Sequence, residues 1–582
     1  MATEKTSNDY REERKARLAK AAKKNSKKSH KVSTRSMSKK TKGIITAVIA
    51  VVAVVAIAVV SCINLGVFAR MQKIDTVAGA SYSAVEYEYY YRSMHNYYYS
   101  MAQQYDSYYG QGYGYYYTGF DYNKLPEDQE YPYEDYTLED GSKATWKEYF
   151  EYAALKSLQQ YTALADLAEK DADFTVEQSV MDEAYAQIDQ LKADIKEQAE
   201  ANGSSAVSFG VYLRSAYGKG MNEKVFEDIV ERETIAGEYS TYLAESKQDS
   251  YIADTAKLEE IYNKDKSAYD CVDFRIFAIA PETAELAEDA TQDEKDAASK
   301  QANEEAKKKA DEMFGKIKDE ETFIKLAGEY ATEEQKENVD YSKSEATLMA
   351  HTEKSSIEGS FSEEMIKWLF GTEAKAGDKK QFDVSGTQYI ILMVKPAYRD
   401  DSTLPVDVRH ILYQFDEEAK DAEADKTKQK GLADTALNEI KAADDQLAKF
   451  LEICETDSAD TGSSSNGGLI EYLGKGKYVK AFEEWSLDPN RKEGDLGVIE
   501  TEYGYHVMYF VQKHENPYWK ISIAQTLANE ELTNEVDDMI ATDAYKVAAD
   551  DTVIPSLASS IYANILETYY AGIAKAETTT AA

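Results

Sequence analysis

The order of apolar and polar positions divides the chain into three kinds of stretch. Near the start, Ile44 to Val60 is apolar apart from Thr46, and a mostly apolar continuation reaches Ala69. As a helix, residues 44–69 would span roughly 39 Å at about 1.5 Å per residue, enough for a hydrocarbon core of about 30 Å. Helical periodicity follows. Glu86 to Gln104 contains no Pro or Gly and reads as one helix, after which Gly110, Gly112, Gly114 and Gly119 predict a loop. Thr145-Trp146-Lys147-Glu148 is a candidate capping box. It opens a run with Phe150, Ala154, Leu158, Tyr161, Ala165 and Ala168 at helical spacing. Thr175-Val176-Glu177-Gln178 predicts a second cap, opening a helix with Ile188, Leu191 and Ile195 that Asn202-Gly203 ends. Asn222 is placed to cap Glu223 to Ala244, and Leu258 to Tyr269 reads as a shorter helix. At the far end, Ile523 to Met539 and Val553 to Ala574 return to helical spacing.

Between these lies a segment of a different period. Val406, Val408, His410 and Leu412 alternate with Asp407, Arg409, Ile411 and Tyr413, which is strand periodicity. Glu417 to Ala443 reads as an exposed helix, and Gln446 to Glu455 as a second one with Leu447, Phe450, Leu451 and Cys454 on one face. Gly504 then precedes a closing strand, Tyr505 to Gln512. Strand, helices, loop and strand in one small unit predict an α+β domain. The segment has a partner upstream. Val272-Asp273-Phe274-Arg275-Ile276-Phe277 parallels Val406-Asp407-Val408-Arg409-His410-Ile411. At a constant offset of 117, Trp368 falls on Trp485, Lys375 on Lys492, Gly377-Asp378 on Gly494-Asp495 and Val394 on Val511. Residues 270–398 and 404–514 therefore read as tandem copies of one domain.

Charge turns the apolar run into an oriented one. The first 43 residues hold 15 Lys/Arg against 4 Asp/Glu, whereas the whole chain of 582 residues holds 67 against 106, for a net charge of −39. A basic block directly before an apolar run predicts a cytoplasmic N-terminus, a transmembrane helix over 44–69 and an extracytoplasmic remainder. Val59-Val60-Ser61-Cys62 loosely fits a bacterial lipobox, so a cleaved signal with a lipid on Cys62 is the other reading; the length of the basic tail favours the uncleaved anchor. The acidity of the remainder argues against nucleic acid and suits cationic clients or simple solubility. Cys62, Cys271 and Cys454 offer neither metal-ligand spacing nor a disulfide framework, and no phosphate-cradling or dinucleotide motif occurs. Tyr crowds residues 82–136. Its apolar body and polar tip suit a wet client surface, or a helix packed by Tyr in place of Leu.

Four motifs in fixed order then identify a family. Val406–Tyr413, Thr456-Asp457-Ser458 with the Asn466-Gly467-Gly468 loop, Gly474–Glu484, and Glu502–Met508 resemble a parvulin-type peptidyl-prolyl isomerase domain. The whole chain resembles the PrsA/SurA-type extracytoplasmic foldases, which are often lipoproteins. The resemblance implies an α+β multidomain protein. A basic cytoplasmic tail (1–43) and the membrane segment (44–69) would precede a helical chaperone region (80–268). A degenerate parvulin-like domain (270–398) and a parvulin domain (404–514) would follow, and C-terminal helices (515–575) would fold back on the N-terminal ones. It implies catalytic His410, Asp457 and His506, a proline pocket of Ile470, Tyr478 and Phe482, no metal or cofactor, and unfolded or secreted polypeptides as partners, without fixing an oligomeric state. Tyr478 stands where the family usually has Met or Leu, and Glu471 replaces a glycine. These departures bear on rate rather than fold, and leave a non-catalytic holdase or surface-assembly scaffold as the alternative function. In the upstream copy Ile276 and Tyr389 stand where His410 and His506 would be, so that copy is expected to be non-catalytic.

Overall fold

The structure, a computed structural model, describes residues 70–282, 291–416 and 419–573. The basic tail, the apolar run 44–69 and Cys62 lie outside the described residues. Among the described residues no helix is long and apolar enough to cross a membrane. The described chain forms two compact units, 70–246 with 529–573, and 247–528.

The first unit is helical apart from a short antiparallel pair, β1 (Lys73–Asp75) with β2 (Ser81–Ser83). The tyrosine helix runs over Ala84–Tyr109, five residues past the sequence expectation, and the glycine-rich stretch after it includes a short helix, Tyr113–Thr118. The tyrosines divide by position. Tyr87, Tyr90 and Tyr91 are buried with Phe120, Trp146, Phe150 and Leu158 in the unit's core, whereas Tyr108, Tyr109, Tyr115 and Tyr116 are exposed. The buried tyrosines fit a helix packed by Tyr in place of Leu. The Thr145 capping box forms: the Glu148 N–H donates to Thr145 Oγ1 at 3.3 Å, and the Thr145 N–H to Glu148 Oε2 at 2.7 Å. The one expected at Thr175 does not. That helix begins later, at Gln178, with Glu177 at its N-cap position and no side-chain cap. The C-terminal helix Val553–Tyr569 places Ile561 and Ile565 in the same core. Arg92 Nη2 donates to Asn564 Oδ1 at 3.0 Å, and His95 Nε2 lies 3.1 Å from the Tyr570 hydroxyl.

The second unit holds two four-stranded antiparallel sheets. The first comprises β3 (Cys271–Ile279), β4 (Leu348–Glu353), β5 (Lys379–Val384) and β6 (Thr387–Tyr398), in the order β4-β3-β6-β5. The second comprises β7 (Val406–Gln414), β8 (Leu469–Leu473), β9 (Leu496–Glu500) and β10 (Gly504–Lys513), in the order β8-β7-β10-β9. Order and register coincide. Ile276 lies opposite Ile391 and Ala278 opposite Tyr389, as His410 lies opposite Met508 and Leu412 opposite His506. One backbone device also recurs. A buried or half-buried Asp on the first strand accepts the N–H of a residue held at positive φ beside the second: His351 (φ 52°) on Asp273 at 2.7 Å, and Tyr472 (φ 50°) on Asp407 at 2.7 Å.

The alternation along β7 sorts its side chains between two layers. Ile411 and Tyr413, with Tyr505 and Val507 of β10, pack on Ala433, Ile440 and Phe450 of the helices Ala422–Ala442 and Gln446–Asp457. Val406 and Val408, with Met508 and Phe510, pack on Phe482 and Trp485 of the short helix Lys480–Ser486. His410 and His506 belong to this second layer.

Candidate functional site

His410 and Met508 are direct partners across β7 and β10, and His506 pairs with Leu412. The two histidines are therefore diagonal neighbours on one face of the sheet, close enough for their side chains to meet. Their Nδ1 atoms lie 3.0 Å apart. Both rings are buried, 6% and 5% exposed.

The remaining nitrogens fix the direction of the hydrogen bonds. His410 Nε2 lies 2.9 Å from the Asp460 carboxylate, which only accepts, so this nitrogen carries a proton. In the neutral ring His410 Nδ1 is then bare, and His506 Nδ1–H donates to it. His506 Nε2 is in turn an acceptor, and the Thr501 hydroxyl at 2.9 Å donates to it. A continuous chain runs from Thr501 through His506 and His410 to Asp460. The Ser463 hydroxyl closes it, donating to Asp460 Oδ2 at 2.5 Å.

Burial keeps the imidazoles neutral. It pushes His506 down to about 3, helped by the neighbouring His410. Burial lowers His410 too, opposed by Asp460. Burial alone would raise Asp460, but the Ser463 hydroxyl, the Gly462 N–H and His410 outweigh it and hold the carboxyl below its usual range.

An aromatic floor adjoins the pair. Phe482 presents its ring edgewise to His410 (centroids 5.2 Å apart, planes at 90°) and to His506 (5.4 Å, 80°). Tyr478 stacks on Phe482 at 5.3 Å and 23° and is 40% exposed, so it forms the outer lip. Ile470 on β8 packs into the same cluster with Met508. The Gly467-Gly468 loop seats against the first histidine: the His410 N–H donates to the Gly468 carbonyl at 2.9 Å. Gly468 sits at φ 71°, and a Cβ there would lie 2.1 Å from the His410 carbonyl oxygen, so only glycine fits.

The structure thus brings together five of the six residues expected from the sequence: His410, His506, Ile470, Tyr478 and Phe482. It places the sixth elsewhere. Asp457 accepts from the Tyr413 hydroxyl at 3.1 Å, and Tyr413 faces the helical layer on the other side of the sheet. The carboxylate on the histidine pair is Asp460. The helix ends at Asp457, the Ala459 N–H then donates to the Leu412 carbonyl at 2.9 Å, and the loop turns inward. Asp460 and Ser463 lie in the loop between the Thr456-Asp457-Ser458 and Asn466-Gly467-Gly468 motifs. Thr501 carried no signal, because its role depends on the β9–β10 hairpin. Among the described residues no group of three or more His, Cys, Asp or Glu is placed to hold a metal ion.

Comparison with known proteins points the same way. Residues 391–514 match the family described as the PPIC-type PPIASE domain. Foldase protein PrsA 1 of Listeria monocytogenes is 30% identical over 90 residues, covering 15% of this chain and 31% of that protein. Foldase protein PrsA of Halalkalibacterium halodurans is 25% identical over 182 residues, covering 31% and 45%. The chain thus matches less than half the length of either relative. The crystal structure of PrsA from Bacillus subtilis is 12% identical and covers 74% of this chain and 90% of that one, with a TM-score of 0.19. Residues 391–514 carry a parvulin-type peptidyl-prolyl isomerase domain, and the chain is related to the PrsA foldases.

Proposed function

We propose that the chain is a membrane-anchored extracytoplasmic foldase that binds secreted polypeptides and catalyses the cis–trans isomerisation of their X-Pro bonds. The observation that carries this reading is the buried, neutral His410–His506 pair beside Phe482. Rotation about a peptide bond faces about 18–20 kcal/mol, and uncatalysed X-Pro exchange takes tens to hundreds of seconds. Acceleration needs neither nucleophile nor redox chemistry. The proline ring must be held and the C–N double-bond character reduced, which is favoured when the preceding carbonyl leaves water. Ile470 and Tyr478 form the accessible part of an apolar seat whose buried base is Phe482 and Met508. The histidine pair, committed to one another and to Asp460 and Thr501, offers a fixed polar base with no net charge.

Anchoring, with the bulk of the chain outside the cytoplasm, is supported by the apolar run 44–69 behind a basic tail. Polypeptide clients are supported by the relationship to foldases. Residues 270–398 are assigned as a second copy of the parvulin fold. Equal strand order and register and the repeated Asp device support this, and Ile276 and Tyr389 at the histidine positions support a non-catalytic role for it.

One observation favours the second reading, a holdase with no isomerase activity: the Tyr478 ring covers part of the Phe482 face. Refolding of a test protein limited by proline isomerisation separates the two. The full chain should accelerate the slow phase, and His410→Ala and Phe482→Ala should abolish the effect. Suppressed aggregation with an unchanged slow phase would instead identify a holdase.

A further inference from the structure

We infer that segment 270–398 completes the proline-binding cleft of the neighbouring domain: its strand β4 holds the loop that carries Tyr478 over Phe482, which makes Glu353 and Lys477 positioning residues for the isomerisation. The inference rests on the isomerase reading above and assigns a task to the segment that lacks the histidines.

Three contacts define the strap. Lys477 Nζ lies 3.3 Å from Glu353 Oε2 at the end of β4, with side chains 34% and 17% exposed. The same ammonium sits over the Tyr518 ring, 3.7 Å from its centroid. Gly476, at φ 81°, approaches β4 so closely that a Cβ would meet the Ala350 carbonyl oxygen at 2.7 Å and that of His351 at 2.8 Å. A further pair, Lys480 with Glu345 at 3.0 Å, is 67% and 54% exposed and contributes little. On the catalytic side the loop has its own anchor: the N–H groups of Lys477 and Tyr478 both donate to Glu483 Oε1, each at 2.8 Å. Tyr478 is thus stacked on the floor of the cleft from a loop held at both sides.

A loop with glycines at 474 and 476 is flexible unless something outside it fixes its path. Left loose, it would lose conformational freedom when a proline chain settles under Tyr478. The strap removes that cost in advance. The lip contacts bound substrate and the twisted transition state alike, so the effect falls on KM and leaves kcat nearly unchanged.

The test is a charge swap in the full chain, read as kcat and KM for isomerisation of a short X-Pro peptide. Lys477→Glu and Glu353→Lys should each raise KM by about threefold to tenfold with kcat changed less than about twofold, and the double swap should return KM to near the wild-type value. An unchanged KM in the single variants, or no recovery in the double, would overturn the inference. Should a swap fail to fold, the near-isosteric Glu353→Gln should raise KM in the same direction, and an unchanged KM there overturns it equally. A wild-type chain without isomerase activity would reject the isomerase reading instead. The same proteins titrated with a fluorescently labelled proline tetrapeptide should then show the same order of Kd, and equal affinities would reject the strap as well.

Discussion

His410 and His506 meet Nδ1 to Nδ1 at 3.0 Å, and each ring's second nitrogen has its own partner, Asp460 for one and Thr501 for the other. With both rings neutral and Asp460 ionised, only one proton arrangement gives the four nitrogens and the carboxylate complementary partners. Protonating either ring breaks that arrangement inside a buried site, which gives the pair a stabilising and a titratable aspect at once.

Stability should therefore fall as pH falls. His506 has a folded pKa of about 3 against about 6.5 when unfolded. A group depressed in this way binds more protons in the unfolded chain, so stability is level well above about pH 6.5 and declines from there toward the folded value, by about 3 kcal/mol at pH 4. Asp460, also depressed, adds a separate loss below its usual carboxylate range. Urea unfolding at pH 7, 5 and 4 checks this. His506→Leu should flatten the decline between pH 6.5 and 4.

The two candidate carboxylates should separate sharply. Asp460→Ala leaves His410 Nε2–H with only the longer contact to Ser463 Oγ at 3.3 Å and should lower isomerase kcat/KM by about tenfold or more. Asp457→Ala touches Tyr413 in the other layer and should stay within about twofold. Equal losses at both positions would contradict the placement of Asp460.

Gly468 tests the seat of the first histidine. Gly468→Ala forces a Cβ against the His410 carbonyl at positive φ and should cost about 2–4 kcal/mol, seen as a lower urea midpoint with an unchanged slope.

The tyrosine helix offers a test in the opposite direction. Tyr91 is fully buried, and its hydroxyl has no hydrogen-bond partner among the described residues. Tyr91→Phe should raise stability by about 1 kcal/mol, because it removes an unsatisfied buried hydroxyl and keeps the ring. Tyr116, 76% exposed, should tolerate Ser within about 0.5 kcal/mol. Thermal unfolding of the two variants measures both effects.

Period and punctuation along the chain determined a good deal. Alternation from Val406 to Tyr413 specified a strand and the face His410 would take, because side chains on a strand must alternate. The Thr145 cap was legible because its partner lies three residues away, within one turn. The constant offset of 117 between the two segments was visible as spacing alone. The partners of His410 were not. Asp457 and Asp460 are equal candidates by residue type, and only the exit of the chain from its helix, fixed by a hydrogen bond from Ala459 to Leu412 on a distant strand, turns one toward the pair and the other away. Nor could periodicity divide the tyrosines. Tyr91 and Tyr116 are the same residue in the same aromatic stretch, and burial came to the one that the helices Trp146–Lys170 and Val553–Tyr569 cover. Local pattern reports what a residue can do within a few turns of itself. Which groups meet across fifty or four hundred residues is settled by packing, and packing exists only in the folded chain.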